Sequence, residues 1–180
     1  AHGEIRKIIG VFDNILWLTM YRAGSSKDKE VLVAINVHNG KLLYMLPEEL
    51  PISDVHVKLI EDKKTIVSIK SGISTGFIDS YFVEIDALTG KVSRNQTIKA
   101  FEKENLKIGL WQFQEDKIYF TANKDFLNAT HIGVLDYTTL DLLWFEEVKD
   151  RKAGLKEIQA SLDKIYVLDQ GNQLHIYEQE

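Results

Sequence analysis

Histidines and carboxylates are the residues of this chain whose chemistry could support catalysis or metal binding, and their spacing favours neither. None of the five histidines forms the HxH or HExxH spacing of a metal site. The acidic pairs flank predicted turns, whereas a catalytic acid and base need environments that separate their pKa values. The sequence contains no Gly-x-Ser-x-Gly elbow, phosphate loop or dinucleotide-binding fingerprint. We therefore predict that the protein is not an enzyme and has no catalytic residues, metal or cofactor. The histidines are His2, His38, His56, His131 and His175, and the acidic pairs are Glu48-Glu49, Glu61-Asp62, Glu115-Asp116 and Glu146-Glu147.

A second set of polar residues has the charge needed to bind an anion. These residues lie in segments that recur along the chain, and we predict that the segments are the innermost strands of repeated sheets that line a channel. Cations converging on such a face attract anions, so the face is predicted to bind a small anion or an acidic peptide. The alternative, which the sequence favours, is that they are solvated side chains at strand ends. The predicted ligand-binding residues are Arg6, His56, Lys58, Lys107, Lys156 and Gln159, and the same segments contain Lys7, Gln112 and Glu157.

Composition limits the class of protein further. The chain has 180 residues, 44% of them apolar and 27% charged, which is typical of a globular domain that needs no disulfide or metal. Its net charge of −5 argues against nucleic-acid binding, which requires a basic surface. There is no cysteine, and no apolar run approaches the roughly 20 residues that span a membrane as a helix. The chain begins with Ala1 rather than Met, so we expect a trimmed or processed chain from which any export signal has been removed.

One motif recurs with a period of 50 residues. Segments 31–44, 81–94 and 131–144 read VLVAINVHNGKLLY, YFVEIDALTGKVSR and HIGVLDYTTLDLLW. Gly40 and Gly90 mark hairpin turns, because glycine tolerates the positive φ that such turns require. The third copy has a leucine at the glycine position, which predicts that its turn differs from the other two or is relaxed by one residue.

A second element, rich in β-branched and aromatic residues, precedes each copy of the motif and also predicts strands. Four antiparallel strands per repeat follow, at roughly 106–114, 117–123, 131–136 and 141–148 in the third repeat. The repeats cover residues 4–53, 54–104, 105–154 and 155–180, and the last has three recognisable strands. Stacked four-stranded sheets bury both faces, so we predict an all-β, β-propeller-type single domain over 1–180 with about four blades, the last incomplete.

The motif also resembles the repeat of quinoprotein-like (PQQ-type) β-propellers, in which Asp-x-x-Thr-Gly-Lys is followed by apolar residues and a tryptophan. The resemblance covers almost the whole chain and implies a propeller fold, but it carries no activity, because its residues form turns and blade contacts. The family includes periplasmic assembly factors and alcohol dehydrogenases. Only one repeat here has the tryptophan, and the vicinal disulfide of many of the dehydrogenases is absent, so no quinone cofactor is expected. The matching residues are Ile35, Gly40, Lys41, Leu42, Leu43 and Tyr44, then Ile85, Asp86, Thr89, Gly90 and Lys91, then Leu135, Asp136, Thr139, Leu142, Leu143 and Trp144.

The incomplete fourth repeat leaves several arrangements open. The N-terminal segment AHGEIRK could complete it, two chains could pair as a homodimer into a larger ring, or the chain could be a fragment of a longer protein. The segment QLHIYEQE at 173–180 would otherwise present an exposed edge strand.

We therefore predict a non-catalytic protein-interaction or scaffold propeller with an unknown protein partner. The resemblance favours the bacterial periplasm or cell envelope over the cytoplasm. The alternative functions are an anion-sensing domain and, less favoured, a quinoprotein-type enzyme.

Overall fold

A computed structural model of the chain describes residues 3–22, 30–52, 55–74, 77–124, 128–161 and 164–178. These residues form an all-β, propeller-type architecture of four antiparallel sheets, each built from strands that are consecutive in sequence. Three sheets have four strands and the last sheet has three. The predicted fold class is confirmed.

The strands have the following bounds. The first sheet contains β1 (Gly3–Phe12), β2 (Ile15–Arg22), β3 (Glu30–Asn36) and β4 (Leu42–Met45). The second contains β5 (Val57–Ile60), β6 (Thr65–Ser74), β7 (Phe77–Asp86) and β8 (Val92–Thr97). The third contains β9 (Lys107–Gln114), β10 (Lys117–Asn123), β11 (His131–Asp136) and β12 (Leu142–Glu147). The fourth contains β13 (Leu155–Ser161), β14 (Lys164–Asp169) and β15 (Leu174–Glu178). Two short helical segments are a 3₁₀ turn at Glu61–Lys63 and α1 at Lys99–Glu104.

The N-terminal segment belongs to the first sheet. Residues 3–12 form β1, which pairs antiparallel with β2. The described part of this segment therefore does not complete the fourth sheet, which contains β13, β14 and β15 alone among the described residues.

The chain divides into two compact units. Unit 1 consists of Ala1–Lys70 and Tyr81–Thr97, and it holds the first sheet and most of the second. Unit 2 consists of Ser71–Ser80 and Ile98–Glu180, and it holds the third and fourth sheets.

The core of unit 1 lies between its two sheets. Trp17 is completely buried there, and its indole Nε1 donates a hydrogen bond of 2.9 Å to the carbonyl oxygen of Ala87. The indole thus buries a large apolar area and still satisfies its one polar atom. The other buried members of this cluster are Ile15, Leu32, Ala34, Leu46, Ile52, Val57, Ile66, Val83 and Ile85.

The core of unit 2 lies between the third and fourth sheets. It buries Tyr119, Ile132, Val134, Val148, Leu155, Ala160, Ile165 and Val167. The amide of Ala160 on β13 donates a hydrogen bond of 2.9 Å to the side-chain oxygen of Gln112 on β9. An inner strand of each sheet is therefore held against the other by packing and by a polar contact.

The hairpin turns of the repeated motif are stabilised by an acidic side chain. The Asp86 carboxylate accepts hydrogen bonds of 3.0 and 2.7 Å from the amides of Leu88 and Thr89. Asp136 accepts equivalent bonds of 2.8 and 2.7 Å from the amides of Thr138 and Thr139. Aspartate is suited to this role because its short side chain reaches backbone donors two and three residues ahead.

The prediction that the third turn differs is wrong. Leu140 adopts a φ of 60°, close to the 67° of Gly90, and both amides donate 2.9 Å bonds to the aspartate carbonyl four residues earlier. A left-handed conformation costs a residue with a side chain about 1–2 kcal/mol. Leu140 is only 4% exposed, and burying a leucine contributes about 1.5–3 kcal/mol. Burial of the side chain therefore offsets the strain, and the turn is kept.

Candidate functional site

Unit 1 contains the predicted anion-binding residues Arg6, His56 and Lys58. Arg6 is exposed, forms a 3.6 Å ion pair with Glu4 and lies 4.9 Å from the centre of the Tyr21 ring. His56 is half-buried just before β5, and its backbone carbonyl accepts a hydrogen bond from Ile69. Arg6 is therefore engaged with its own sheet.

A pair of lysines in unit 1 is brought together by the fold. The Lys7 ammonium donates hydrogen bonds of 3.1 and 3.4 Å to the carbonyl oxygens of Val57 and Val55. Lys58 as a whole residue is exposed. Partial desolvation of its ammonium lowers its pKa, and the positive charge of Lys7 lowers it further. Two cations on neighbouring inner strands thus raise the local positive potential, as an anion site requires.

Unit 2 contains the other predicted anion-binding residues. Lys107 begins β9 opposite Asn123, and it is half-buried. Lys156 lies on β13, where its ammonium donates a hydrogen bond of 2.6 Å to the side-chain oxygen of Asn172. Gln159 is exposed on the same strand. Of these three residues, Lys156 has a described side-chain contact, and it lies within the fourth sheet and its turn.

The outer face of the first sheet is apolar and partly exposed. Its centre buries Leu18, Val31 and Val33, with Leu16, Met20 and Ile35 packed against them. Its two margins are exposed: Ile5, Ile8 and Val11 on β1 are 55%, 63% and 52% accessible, and Leu42 and Met45 on β4 are each 49% accessible. We call these residues together the outer apolar face. All of them are aliphatic or methionine, and exposed apolar residues that lie side by side are typical of an interaction surface.

Two β-bulges create the apolar margin on β1. The register of β1 with β2 shifts between Ile5 and Lys7 and again between Ile8 and Gly10. Each bulge adds one residue and so reverses the alternation of faces once. Side chains three residues apart therefore share a face, and Ile5, Ile8 and Val11 lie opposite Met20, Leu18 and Leu16. The sequence shows no simple alternation here, which is why sequence analysis missed this surface.

A groove with a volume of about 500 Å³ lies between the outer strands of the third and fourth sheets in unit 2. The ring centres of Trp144 and Tyr177 are 6.1 Å apart in this groove. Burial and, secondly, the negative charge of Glu146 raise the pKa of Tyr177. We call this feature the edge groove, and its lining residues are Lys117, Val134, Leu143, Trp144, Glu146, Ile165, Tyr177 and Glu178.

The turn that leads into β15 is held by a buried carboxylate. Asp169 accepts hydrogen bonds of 2.9 Å from the amides of Gln173 and Lys152, and its Oδ2 lies 3.5 Å from His175 Nε2. These donors, chiefly the Gln173 amide, lower the pKa of Asp169 to about 2, although burial acts to raise it. The network orders the hairpin and so fixes the position of β15.

Two other features were sought among the described residues: metal sites and membrane-spanning helices. These residues contain no group of three or more histidine, aspartate or glutamate side chains arranged to hold a metal ion. None of their helices has the length and apolar character needed to cross a bilayer.

Comparisons with known proteins support the fold. No known family profile matches the chain, and no curated protein sequence matches it. Among solved structures, the chain is similar to BamB from Moraxella catarrhalis, with 14% identity and a TM-score of 0.54, over 94% of this chain and 42% of that one. It is also similar to Sqt1 from Saccharomyces cerevisiae, with 12% identity and a TM-score of 0.58, over 98% of this chain and 45% of that one.

A third similar structure is an acylaminoacyl peptidase from Pyrococcus horikoshii, with 14% identity and a TM-score of 0.55, over 99% of this chain and 33% of that one. The chain thus spans less than half the length of each of these three proteins. At such identities the likeness shows the propeller-type fold alone, and the fold is compatible with many functions.

Proposed function

We propose that this protein is a non-catalytic, protein-interaction scaffold that docks through the outer apolar face of its first sheet. The observation that carries the proposal is the row of Ile5, Ile8 and Val11, each more than half exposed along one strand. Exposed, contiguous apolar surface on a folded domain marks a protein contact, because leaving it in water costs about 25 cal/mol per Å².

The partner at this face is a second copy of the chain. A two-fold symmetric contact brings the same patch from both copies together, so the patch must be complementary to itself. The outer apolar face meets this condition because its residues are all aliphatic or methionine and can pack against the same residues of a second copy. The opposite face of the same sheet already packs sheet to sheet, burying Trp17, Leu32 and Ala34, and the same kind of packing would cover the exposed margins of the outer apolar face.

The proposed setting is the periplasm or envelope of a bacterium. The repeated motif with Asp86, Thr89 and Gly90 resembles that of PQQ-type propellers, a group that includes periplasmic assembly factors. The structural likeness to BamB supports the fold that this setting assumes. Fractionation of cells that produce the protein from its native gene tests the location, and recovery from the cytoplasm would contradict it.

Solution mass tests the docking proposal directly. Light scattering after size exclusion, repeated across a tenfold dilution, should give a dimer for the wild-type protein. Ile8→Asp should give a monomer, because a buried, unpaired carboxylate opposes the contact. Val37→Asp is the matched control: Val37 is also exposed, but it lies in the β3–β4 turn, and this variant should remain dimeric. A wild-type monomer at every concentration, or equal dissociation of both variants, would contradict the proposal.

A second candidate function is recognition of a small anion by Lys7 and Lys58. The observation that favours it is that the Lys7 ammonium lies 3.1 Å from the carbonyl oxygen of Val57, next to Lys58. Desolvation and, secondly, the charge of Lys7 lower the pKa of Lys58. An anion bound between the two ammonium groups would stabilise their charged forms and raise this pKa. Inorganic phosphate is a suitable first probe.

Titration of the lysine side chains by NMR tests this second candidate. Phosphate should raise the pKa of Lys58 in the wild-type protein, and Lys7→Gln should abolish the phosphate effect while raising the pKa in phosphate-free buffer. Lys63→Gln, a charge-matched change at the 3₁₀ turn, should do neither. An unchanged pKa of Lys58 in millimolar phosphate would rule the candidate out.

A further inference from the structure

The outer apolar face contains both sulfur atoms of the chain. The sequence has two methionines, Met20 and Met45, and no cysteine. Met20 on β2 packs against the buried centre of this face and lies opposite Ile5 on β1. Met45 on β4 lies opposite Val33, and residues opposite each other in antiparallel strands share a face of the sheet. The surface proposed above as the interface therefore carries the only thioether groups of the protein.

The two methionines differ in accessibility. Met45 is 49% exposed on the margin of the sheet, whereas Met20 is half-buried. An oxidant dissolved in water must reach a sulfur atom to react with it, so Met45 is expected to be the more reactive of the two thioethers. No thiol of the same chain competes for the oxidant, because the sequence has no cysteine.

Oxidation of a thioether changes its polarity and is reversible. Hydrogen peroxide transfers one oxygen atom to the sulfur: the O–O bond breaks, an S–O bond forms, the sulfur loses two electrons and water leaves. Reductases restore the thioether by taking two electrons and two protons from a pair of thiols, which become a disulfide, and the oxygen leaves as water. The sulfoxide is polar where the thioether is apolar, so oxidation gives Met45 a hydrogen-bond acceptor that it otherwise lacks.

The surroundings of Met45 on this face provide no side-chain donor for that oxygen. Val33, the residue opposite Met45, is 1% exposed and has only methyl groups to offer, and the other residues of the outer apolar face are aliphatic or methionine. Burying a polar oxygen without a donor is unfavourable, and a two-fold symmetric contact contains Met45 twice. Oxidation of Met45 therefore opposes the contact that its thioether stabilises.

We propose that Met45 is a redox-sensitive modification site, and that oxidation of its sulfur by a peroxide dissociates the dimer. This inference rests on the proposed docking of two copies through the outer apolar face and adds the regulation of that contact. Oxidation acts on the free chain, because the contact covers Met45 in the dimer. By mass action the oxidised chains leave the dimer population, and reduction of the sulfoxide returns them.

The experiment measures oxidation and association in the same samples. The protein is treated with hydrogen peroxide, the added oxygen is located by mass spectrometry of the peptides that contain Met20 or Met45, and solution mass is measured by light scattering across a dilution series. Methionine sulfoxide reductases specific for each sulfoxide epimer then reverse the modification. Three variants accompany the wild-type protein: Met45→Leu, Met45→Gln, and Met20→Leu as the matched control at the half-buried methionine.

In dilute wild-type protein we expect Met45 to be oxidised before Met20, and more slowly as the protein concentration rises and the dimer forms. The dissociation constant of the oxidised dimer should be about tenfold higher or more, because a polar oxygen is buried without a donor, and reductase should restore it. Met45→Leu should dimerise in peroxide, and Met45→Gln, whose amide is polar, should dimerise weakly without it. Met20→Leu should be as sensitive to peroxide as the wild-type protein.

The results separate this inference from the docking proposal. Untreated wild-type protein that is monomeric at every concentration would contradict the docking proposal, and the regulation with it. A wild-type dimer that persists after oxidation of Met45 would overturn the regulation alone. Dissociation of Met45→Leu by peroxide would also overturn it, since another residue would then be responsible. So would loss of the β-sheet circular dichroism signal on oxidation, because unfolding would then explain the dissociation.

Discussion

The packed interface between the first two sheets, which we call a seam, is filled as far as their outer strands, whereas the seam between the last two sheets is open at the outer strands. In unit 1, Tyr44 is covered by the β7–β8 turn, and Leu46 is 7% exposed behind it. In unit 2, Trp144 borders a groove of about 500 Å³ and Glu146 is exposed. The same repeat therefore builds a covered core at Tyr44 and, in the described part of unit 2, an open groove at Trp144.

The difference is also visible in the side chains at equivalent positions of two repeats. Positions that are apolar where a neighbouring strand covers them can become charged where that strand is absent, because water then solvates the charge. Leu46 and Glu146 are such a pair.

The largest expected difference comes from truncating this matched pair. Leu46→Ala should lower the free energy of unfolding by about 2–4 kcal/mol, because it removes a buried side chain and leaves a cavity. Glu146→Ala should change it by less than about 0.5 kcal/mol, as for an exposed side chain. Urea denaturation followed by circular dichroism measures both, and losses of similar size would mean that the two seams are equally packed.

An intermediate loss of stability is expected from adding a methyl group where Tyr44 packs against the turn before β8. Gly90 has a φ of +67°, and an added Cβ would lie 2.6 Å from the Tyr44 ring. Gly90→Ala should therefore cost more than about 2 kcal/mol, combining left-handed strain with a clash.

The control for this substitution is Gly40→Ala in the preceding hairpin. Gly40 has a φ of +68° but no atom within 4 Å of the added Cβ, so only the strain of about 1 kcal/mol should remain. Thermal unfolding of both variants gives the comparison. Equal losses of stability in the two variants would mean that the turn does not contact Tyr44 in solution.

The smallest expected effect is a loss of stability at low pH that arises in the hairpin positioning β15. The pKa of Asp169 is about 2 in the folded protein, below the roughly 4 of an unfolded aspartate. The ionised carboxylate therefore stabilises the fold fully above about pH 4, and this contribution is lost as the pH falls towards 2.

Asp169→Asn should lower stability at pH 7 and flatten the dependence of unfolding free energy between about pH 4 and 2. Asp141→Asn is the control, since Asp141 is an exposed aspartate in the β11–β12 turn. An unchanged acid profile in Asp169→Asn would contradict the role given to this carboxylate. Faster amide exchange at β15 in the same variant would link the turn to the edge groove.

Strands and turns could be predicted from the sequence because their causes are local. The predicted strands of the third repeat match β9 to β12 within one residue at each end, since β-branched runs and Asx turns act over a few residues. Leu140 was the exception. Its conformation depends on burial of the side chain, which involves residues distant in the chain.

The candidate sites could be predicted only in part. Lys7 and Lys58 lie in the strands that the repeats predicted to be innermost, and the structure adds that their ammonium groups interact. The outer apolar face was missed because two bulges in β1 give Ile5, Ile8 and Val11 a spacing of three, unlike the period of two that marks a strand face.

The sequence by itself determined the all-β class, the 50-residue repeat, and the turn chemistry of Asp86 and Asp136. These follow from periodicity and from side chains that bond to their own backbone. Only the tertiary structure decided which apolar surfaces are covered. Alternation shows that a strand has an apolar face, but whether another sheet lies on that face depends on bulges and on strands distant in sequence. Trp144 and Tyr44 occupy the same place in the repeat, but Tyr44 is covered by the turn before β8, whereas Trp144 borders a groove.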